Sequence, residues 1–80
     1  MLTQYIDAAM RHAWYEILED DGTFYGHIPE LQGVWANEPA LDQCREELQS
    51  VLEDWLIFSL ANNLPLPPID GIQLDSTRAA

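Results

Sequence analysis

The sequence has no lysine, and Arg11, Arg45 and Arg78 are its only strong cations. Affinity for nucleic acid comes largely from cations placed on phosphates, so no direct DNA or RNA binding is expected. Cys44 is the single cysteine, which rules out an intrachain disulfide. Its place in a helical pattern reads as a small buried apolar group rather than a reactive thiol. The densest apolar run, over residues 55–60, is far shorter than the roughly 20 residues a membrane-spanning helix needs. The N-terminus shows no basic leader ahead of an apolar stretch, so a secretory signal is not expected and the chain reads as a soluble cytoplasmic protein. There is no glycine-rich phosphate loop, and Cys44, His12 and His27 lie too far apart in sequence to read as a zinc site. No metal and no cofactor is expected.

What is present is acid. Fourteen Asp and Glu give a net charge of −11 on 80 residues. Hydrophobic residues make up 48% of the chain, which is a globular composition, and the length suits one domain over residues 1–80 close to the lower limit for a self-sufficient core. An acidic surface steers and orients a cationic one, so a basic partner is the natural complement. The bland reading of the same charge is solubility.

The apolar pattern predicts an α+β fold. Leu2, Ile6, Ala9 and Ala13 share one side at helical spacing, which predicts a short helix over residues 3–12 with Thr3 as cap. The period then falls to two, predicting a strand over 13–18. Glu19-Asp20-Asp21-Gly22 follows as a hairpin turn, since Asp-Gly suits positive φ angles, and residues 23–28 return as a second strand. Pro29 cannot donate to a ladder and ends that strand. Residues 29–32 turn, and 33–36 form a third strand, completing an antiparallel meander. Asn37 as cap and Pro39 in the first turn then open a long amphipathic helix carrying Leu41, Cys44, Leu48, Val51, Leu52, Trp55 and Phe58. Its last turns are apolar almost all round and need cover on two sides, from the first helix or from a second subunit. Asn62 and Asn63 end it. The proline-rich residues 64–68 run extended, residues 69–74 are available for a short final strand, and 75–80 form a loose tail.

Candidate chemistry is thin. Glu19, Asp20 and Asp21 are consecutive on a turn, and neighbours in sequence rarely converge on one Mg²⁺. His27 lacks a nucleophile motif around it and reads as structural or surface. Phe24, Tyr25 and Trp35 could stack on bases, but without a basic groove they read as core or protein interface. No catalytic residue is assigned.

Asp21-Gly22, followed by Phe24-Tyr25-Gly26-His27-Ile28-Pro29-Glu30-Leu31-Gln32-Gly33, resembles the signature of HicB-like antitoxins: an Asp-Gly turn, an aromatic strand, then Pro-acidic-Leu-x-Gly. Leu41, the Glu46-Glu47-Leu48 run and the proline-rich exit after the helix extend the resemblance over residues 14–68. It departs at Asn37-Glu38-Pro39, where the family often has Gly-Asp-Thr, at Val34, where a Cys is frequent, and in its N-terminal helix. The resemblance implies a partial ribonuclease-H-like fold and neutralisation of a small basic HicA-type toxin that cleaves mRNA. The DNA-binding domain that many members add is not expected within these 80 residues. The expected partner surface is Glu19, Asp20, Asp21, Asp42, Glu46 and Glu53. The expected contact for a homodimer or higher homo-oligomer is Trp55, Leu56, Ile57, Phe58 and Leu60. The alternatives are a small metal-dependent nuclease and an orphan oligomeric domain without a toxin partner.

Overall fold

The computed structural model describes residues 2–74, so the tail expected over 75–80 lies outside the described residues. Helix α1 (Leu2–Arg11) is followed by strands β1 (Trp14–Ile17), β2 (Phe24–His27) and β3 (Trp35–Glu38) and by the long helix α2 (Leu41–Ala61). The strands form an antiparallel meander in the order β1-β2-β3. This is the α+β arrangement that the change of period predicts. Helix α2 packs across one face of β3 and β2, and α1 packs against α2. Tyr5, Ala8 and Ala9 from α1 join Cys44, Leu48, Leu52 and Leu56 from α2 in the core, with Ile28, Leu31, Val34 and Ala36 from the sheet side.

The buried stripe of α2 runs through Cys44, Leu48, Leu52, Leu56 and Ser59. A repeat of four overshoots the 3.6-residue turn by about 40° each time, so the stripe winds around the helix. Its first half meets the sheet and its second half meets α1. This explains why Leu41 and Phe58, expected on the buried face, are exposed, while Leu56 is buried.

Three local expectations are corrected. Thr3 lies inside α1, which begins at Leu2. The third strand lies two residues later than the pattern predicts, and Asn37 is part of it rather than a helix cap. The ladder continues through Tyr25↔Asn37 and Phe24↔Glu38, and the Asn37 amide donates to Thr23 Oγ1 at 2.7 Å and to the Phe24 carbonyl at 2.8 Å. Strand pairing therefore overrides the capping preference. Helix α2 starts after Ala40, which is extended and makes no side-chain cap. The Glu19–Gly22 turn lies where the sequence places it, closed by Leu18 N–H to the Thr23 carbonyl at 2.8 Å, with Gly22 at the positive φ of 73° that the Asp-Gly pair suits.

The final strand is replaced by a tight turn. Ile69 and Ile72 exchange both backbone hydrogen bonds, at 3.1 and 2.8 Å. Asp70 and Gly71 between them sit at φ 52° and 77°, the paired positive values that Asp-Gly favours in two-residue hairpins. At the end of α2 the asparagines act as expected. Asn63 takes the left-handed conformation at φ 54°, while Leu64 N–H reaches the Ser59 carbonyl at 2.9 Å and Asn63 N–H the Leu60 carbonyl at 3.3 Å. This is the paired bonding of a Schellman cap. The chain then returns under α1, where the Tyr5 hydroxyl donates to the Pro67 carbonyl at 2.6 Å.

Candidate interaction surfaces

Three surfaces stand out. The first is acidic. Asp42, Glu46 and Glu53 are all exposed on α2. Glu46 and Glu53 line a shallow groove with Gln49 and Ser50, and Gln49 donates to Glu53 at 3.2 Å. Glu19, Asp20 and Asp21 are exposed in the β1–β2 turn. The pairing of Phe24 with Glu38 puts this turn at the same end of the sheet as the start of α2, so Asp42 shares that end. Glu53 lies eleven residues further along the helix, about 16 Å away. The six carboxylates therefore form a band from the turn along α2 rather than one focus. Asp21 is also a structural residue. Thr23 donates to its Oδ1 through both N–H, at 3.0 Å, and hydroxyl, at 2.7 Å, and the Thr23 hydroxyl and amide hold the Asp21 carboxyl below its ordinary pKa.

The second surface is apolar and lies where α1 crosses the last turns of α2. Leu2, Ile6, Leu56, Ile57 and Leu60, with Glu53 at the rim, line a cleft of about 290 Å³. Of the five residues expected at a dimer contact, Ile57 and Phe58 are 66% and 60% exposed. Trp55 and Leu60 are partly buried against the core. Leu56 belongs to the core, because α1 covers it.

The third is the sheet face turned away from α2. Alternation splits the aromatics that the sequence groups together. Phe24 turns inward, whereas Trp14, Tyr25, His27 and Trp35 turn outward. The Tyr25 ring stacks near Trp35, with centroids 6.1 Å apart, and lies 5.5 Å from His27. The Nδ1 of His27 has no hydrogen-bond partner among the described residues. Trp14 reads in the sequence only as a strand residue, and strand alternation is the signal that assigns it to this face.

One polar cluster has no counterpart in the sequence pattern. His12, just past α1, bonds Glu30 through Nδ1 at 2.5 Å and Asp70 through Nε2 at 2.8 Å, and Arg11 adds a 3.4 Å contact to Asp70. The two carboxylates lie on opposite edges of the imidazole, so they do not share a point where a cation could sit. No group of three or more His, Cys, Asp or Glu suited to a metal occurs among the described residues. The cluster ties three distant segments together: the end of α1, the β2–β3 loop and the 69–72 turn.

Its hydrogen bonds to Glu30 first and Asp70 second raise the His12 pKa above the ordinary 6.5. The same bonds to His12 lower those of Glu30 and Asp70. Linkage gives the sign. The His12 contribution is fully present below the ordinary 6.5 and is lost as pH rises through its raised folded value. The carboxylate contribution is lost only as pH falls through their depressed values. The thermal midpoint is therefore expected to be highest just below about pH 6.5 and to decline above it, and His12→Gln is expected to flatten that decline. A midpoint series from about pH 5 to 9 on both proteins checks this. An equal decline in the variant would assign it elsewhere.

Comparison with known proteins decides the family. A family model described as UPF0150-like matches residues 4–67. The chain belongs to the UPF0150-like family. This agrees at family level with the HicB-like signature over residues 21–33. The fold is also similar to the crystal structure of TTHA0281 from Thermus thermophilus, at 40% identity and a TM-score of 0.84, over 92% of this chain and 91% of that one. Among curated proteins no match is found. No helix among the described residues of this UPF0150-like chain is long and apolar enough to cross a membrane.

Proposed function

We propose that this protein is an antitoxin-type interaction protein that binds and neutralises a small basic, HicA-type mRNA-cleaving toxin in the cytoplasm. The observation that carries the reading is the excess of acid on α2, where Arg45 is the one cation against five carboxylates. Asp42 and Glu46 are four residues apart and repel by a few tenths of a kcal/mol. The ion pairs of the described residues are those of Arg11 and His12, so no ion pair relieves the α2 carboxylates, and Arg45, three residues from Asp42, offsets their repulsion only in part. A cationic partner does relieve them, and membership of the UPF0150-like family supports the HicB-like reading of the signature. The exposed Ile57 and Phe58, beside the apolar cleft, support self-association through the C-terminal half of α2.

The test is to look for a short, basic reading frame next to the gene, to co-express the chain with its product and to measure association of the purified proteins. Co-purification is expected, with an on-rate that falls steeply between low and moderate salt. Reversal of Asp42 and Glu46 to Lys is expected to lower the low-salt on-rate by about tenfold. An unchanged on-rate would exclude this face of α2 as the docking surface. Failure of the pair to associate would remove the toxin-binding reading and leave an orphan oligomeric domain. Mg²⁺-dependent RNA cleavage by the chain alone would favour the nuclease instead.

A further inference from the structure

The open face of the sheet has an order that the acidic band does not explain. The register places Trp14, His27 and Trp35 in one row across all three strands, with Glu16, Tyr25 and Asn37 in the next. Trp14 is 68% exposed and Trp35 53%. Two tryptophans displayed on one small face mark an interaction site rather than chance surface. Trp35 is also held in place, since Tyr25 stacks near it and lies close to His27. A cleft of about 280 Å³ continues the face past Pro29 and Gln32.

The dimensions choose the occupant. Three four-residue strands spaced about 4.8 Å apart make a patch roughly 10 Å by 13 Å, on the order of 130 Å², far below the about 800 Å² per partner of a stable protein interface. An extended peptide fits instead. Trp14 and Trp35 are two strand spacings apart, about 9.6 Å. One turn of polyproline II, three residues at about 3.1 Å, advances about 9.3 Å. Residues i and i+3 of such a helix therefore meet the two indoles while the turn between them crosses His27. Proline rings present flat apolar faces to aromatic side chains and lose little entropy on binding, because the helix is preformed. The one charged group in the two rows is Glu16, paired in register with Tyr25, so a cation flanking the prolines is favoured.

We propose that this face recognises a proline-rich, arginine-flanked segment of another protein. The site is separate from α2 and does not depend on the toxin-binding reading. The chain's own proline-rich segment is not the occupant. Its Leu66 is buried, its Pro67 carbonyl is taken by Tyr5, and its nearest following charge is Asp70.

The probe is a blocked peptide, Arg-Pro-Pro-Leu-Pro-Pro-Arg, titrated into the full chain and followed by tryptophan fluorescence and calorimetry. Saturable binding with a Kd on the order of 100 μM is expected. Trp14→Ala and Trp35→Ala are each expected to weaken it about tenfold or more with far-UV circular dichroism and thermal midpoint retained, because both side chains are exposed. Glu16→Gln is expected to abolish the preference for Arg-flanked over uncharged proline peptide. The proposal is overturned if a peptide with Gly in place of Pro binds equally, which is simple electrostatics, or if nothing saturates by about 1 mM. It is also overturned if Trp14→Ala or Trp35→Ala converts a dimer to a monomer, which makes the face a contact between copies.

Discussion

Gly26→Val is expected to destabilise the fold by about 2–3 kcal/mol and to lower its thermal midpoint by roughly 10–20 °C. Gly26 is buried in the middle strand, between Tyr15 on β1 and Ala36 on β3. A Cβ there would lie 2.9 Å from Cδ1 and Cε1 of the Tyr15 ring and 3.2 Å from Cys44 Sγ. The requirement is close approach and not an unusual backbone angle. The missing side chain lets the Tyr15 ring and α2 settle directly on the sheet, where the Cys44 thiol lies 3.6 Å from the carbonyls of Phe24 and Ala36. Burial also pushes the Cys44 thiol pKa up, as suits a packing residue. A single methyl can be absorbed by a tilt of the Tyr15 ring, so Gly26→Ala is expected to cost only about 1 kcal/mol. The branched Val needs α2 to move. Urea unfolding of the three proteins is the measurement. A Gly26→Val protein within about 0.5 kcal/mol of the parent would show that helix and sheet are loosely apposed in solution.

The same residue shows where sequence reading stops. The signature Phe24-Tyr25-Gly26-His27 announces a strand, but which way each aromatic points depends on which face α2 covers. That is a tertiary fact. The strands, the long helix and its Asn-rich end are legible because each rests on local chemistry: period two, period 3.6, and tolerance of left-handed backbone. Asn37 misleads because its local capping preference is weaker than two side-chain hydrogen bonds and a continuing ladder. The acidic band is legible as composition, and its layout partly so from helix spacing. The His12 cluster is not, since Glu30 and Asp70 lie 18 and 58 residues away and no periodicity links them. Asp70-Gly71 is the same dipeptide as the turn pair Asp21-Gly22, yet the apolar residues around it suggest a strand. The positive φ at both positions decides for the turn.

Leu48→Ala is expected to cost about 3 kcal/mol, with a range of roughly 2–5 for a buried leucine. An 80-residue domain has about 4–12 kcal/mol in all, so this one change removes a quarter or more of its stability. Leu48 is fully buried in the first half of the winding stripe of α2, between Cys44 and Leu52. Its truncation leaves a void that neither helix nor sheet can close, because Cys44 and Leu52 above and below it are seated as well. The urea midpoint is expected to fall with an unchanged slope, which reports lost stability and not a looser native state. Phe58→Ala is the informative control. It lies on the same helix, but Phe58 is 60% exposed, so in a monomer its loss is expected to cost under about 1 kcal/mol. If Phe58→Ala costs as much as Leu48→Ala, and the cost grows with protein concentration, then a second chain covers Phe58 in solution. A Leu48→Ala cost below about 1 kcal/mol would instead mean that α2 does not rest on the sheet through this stripe.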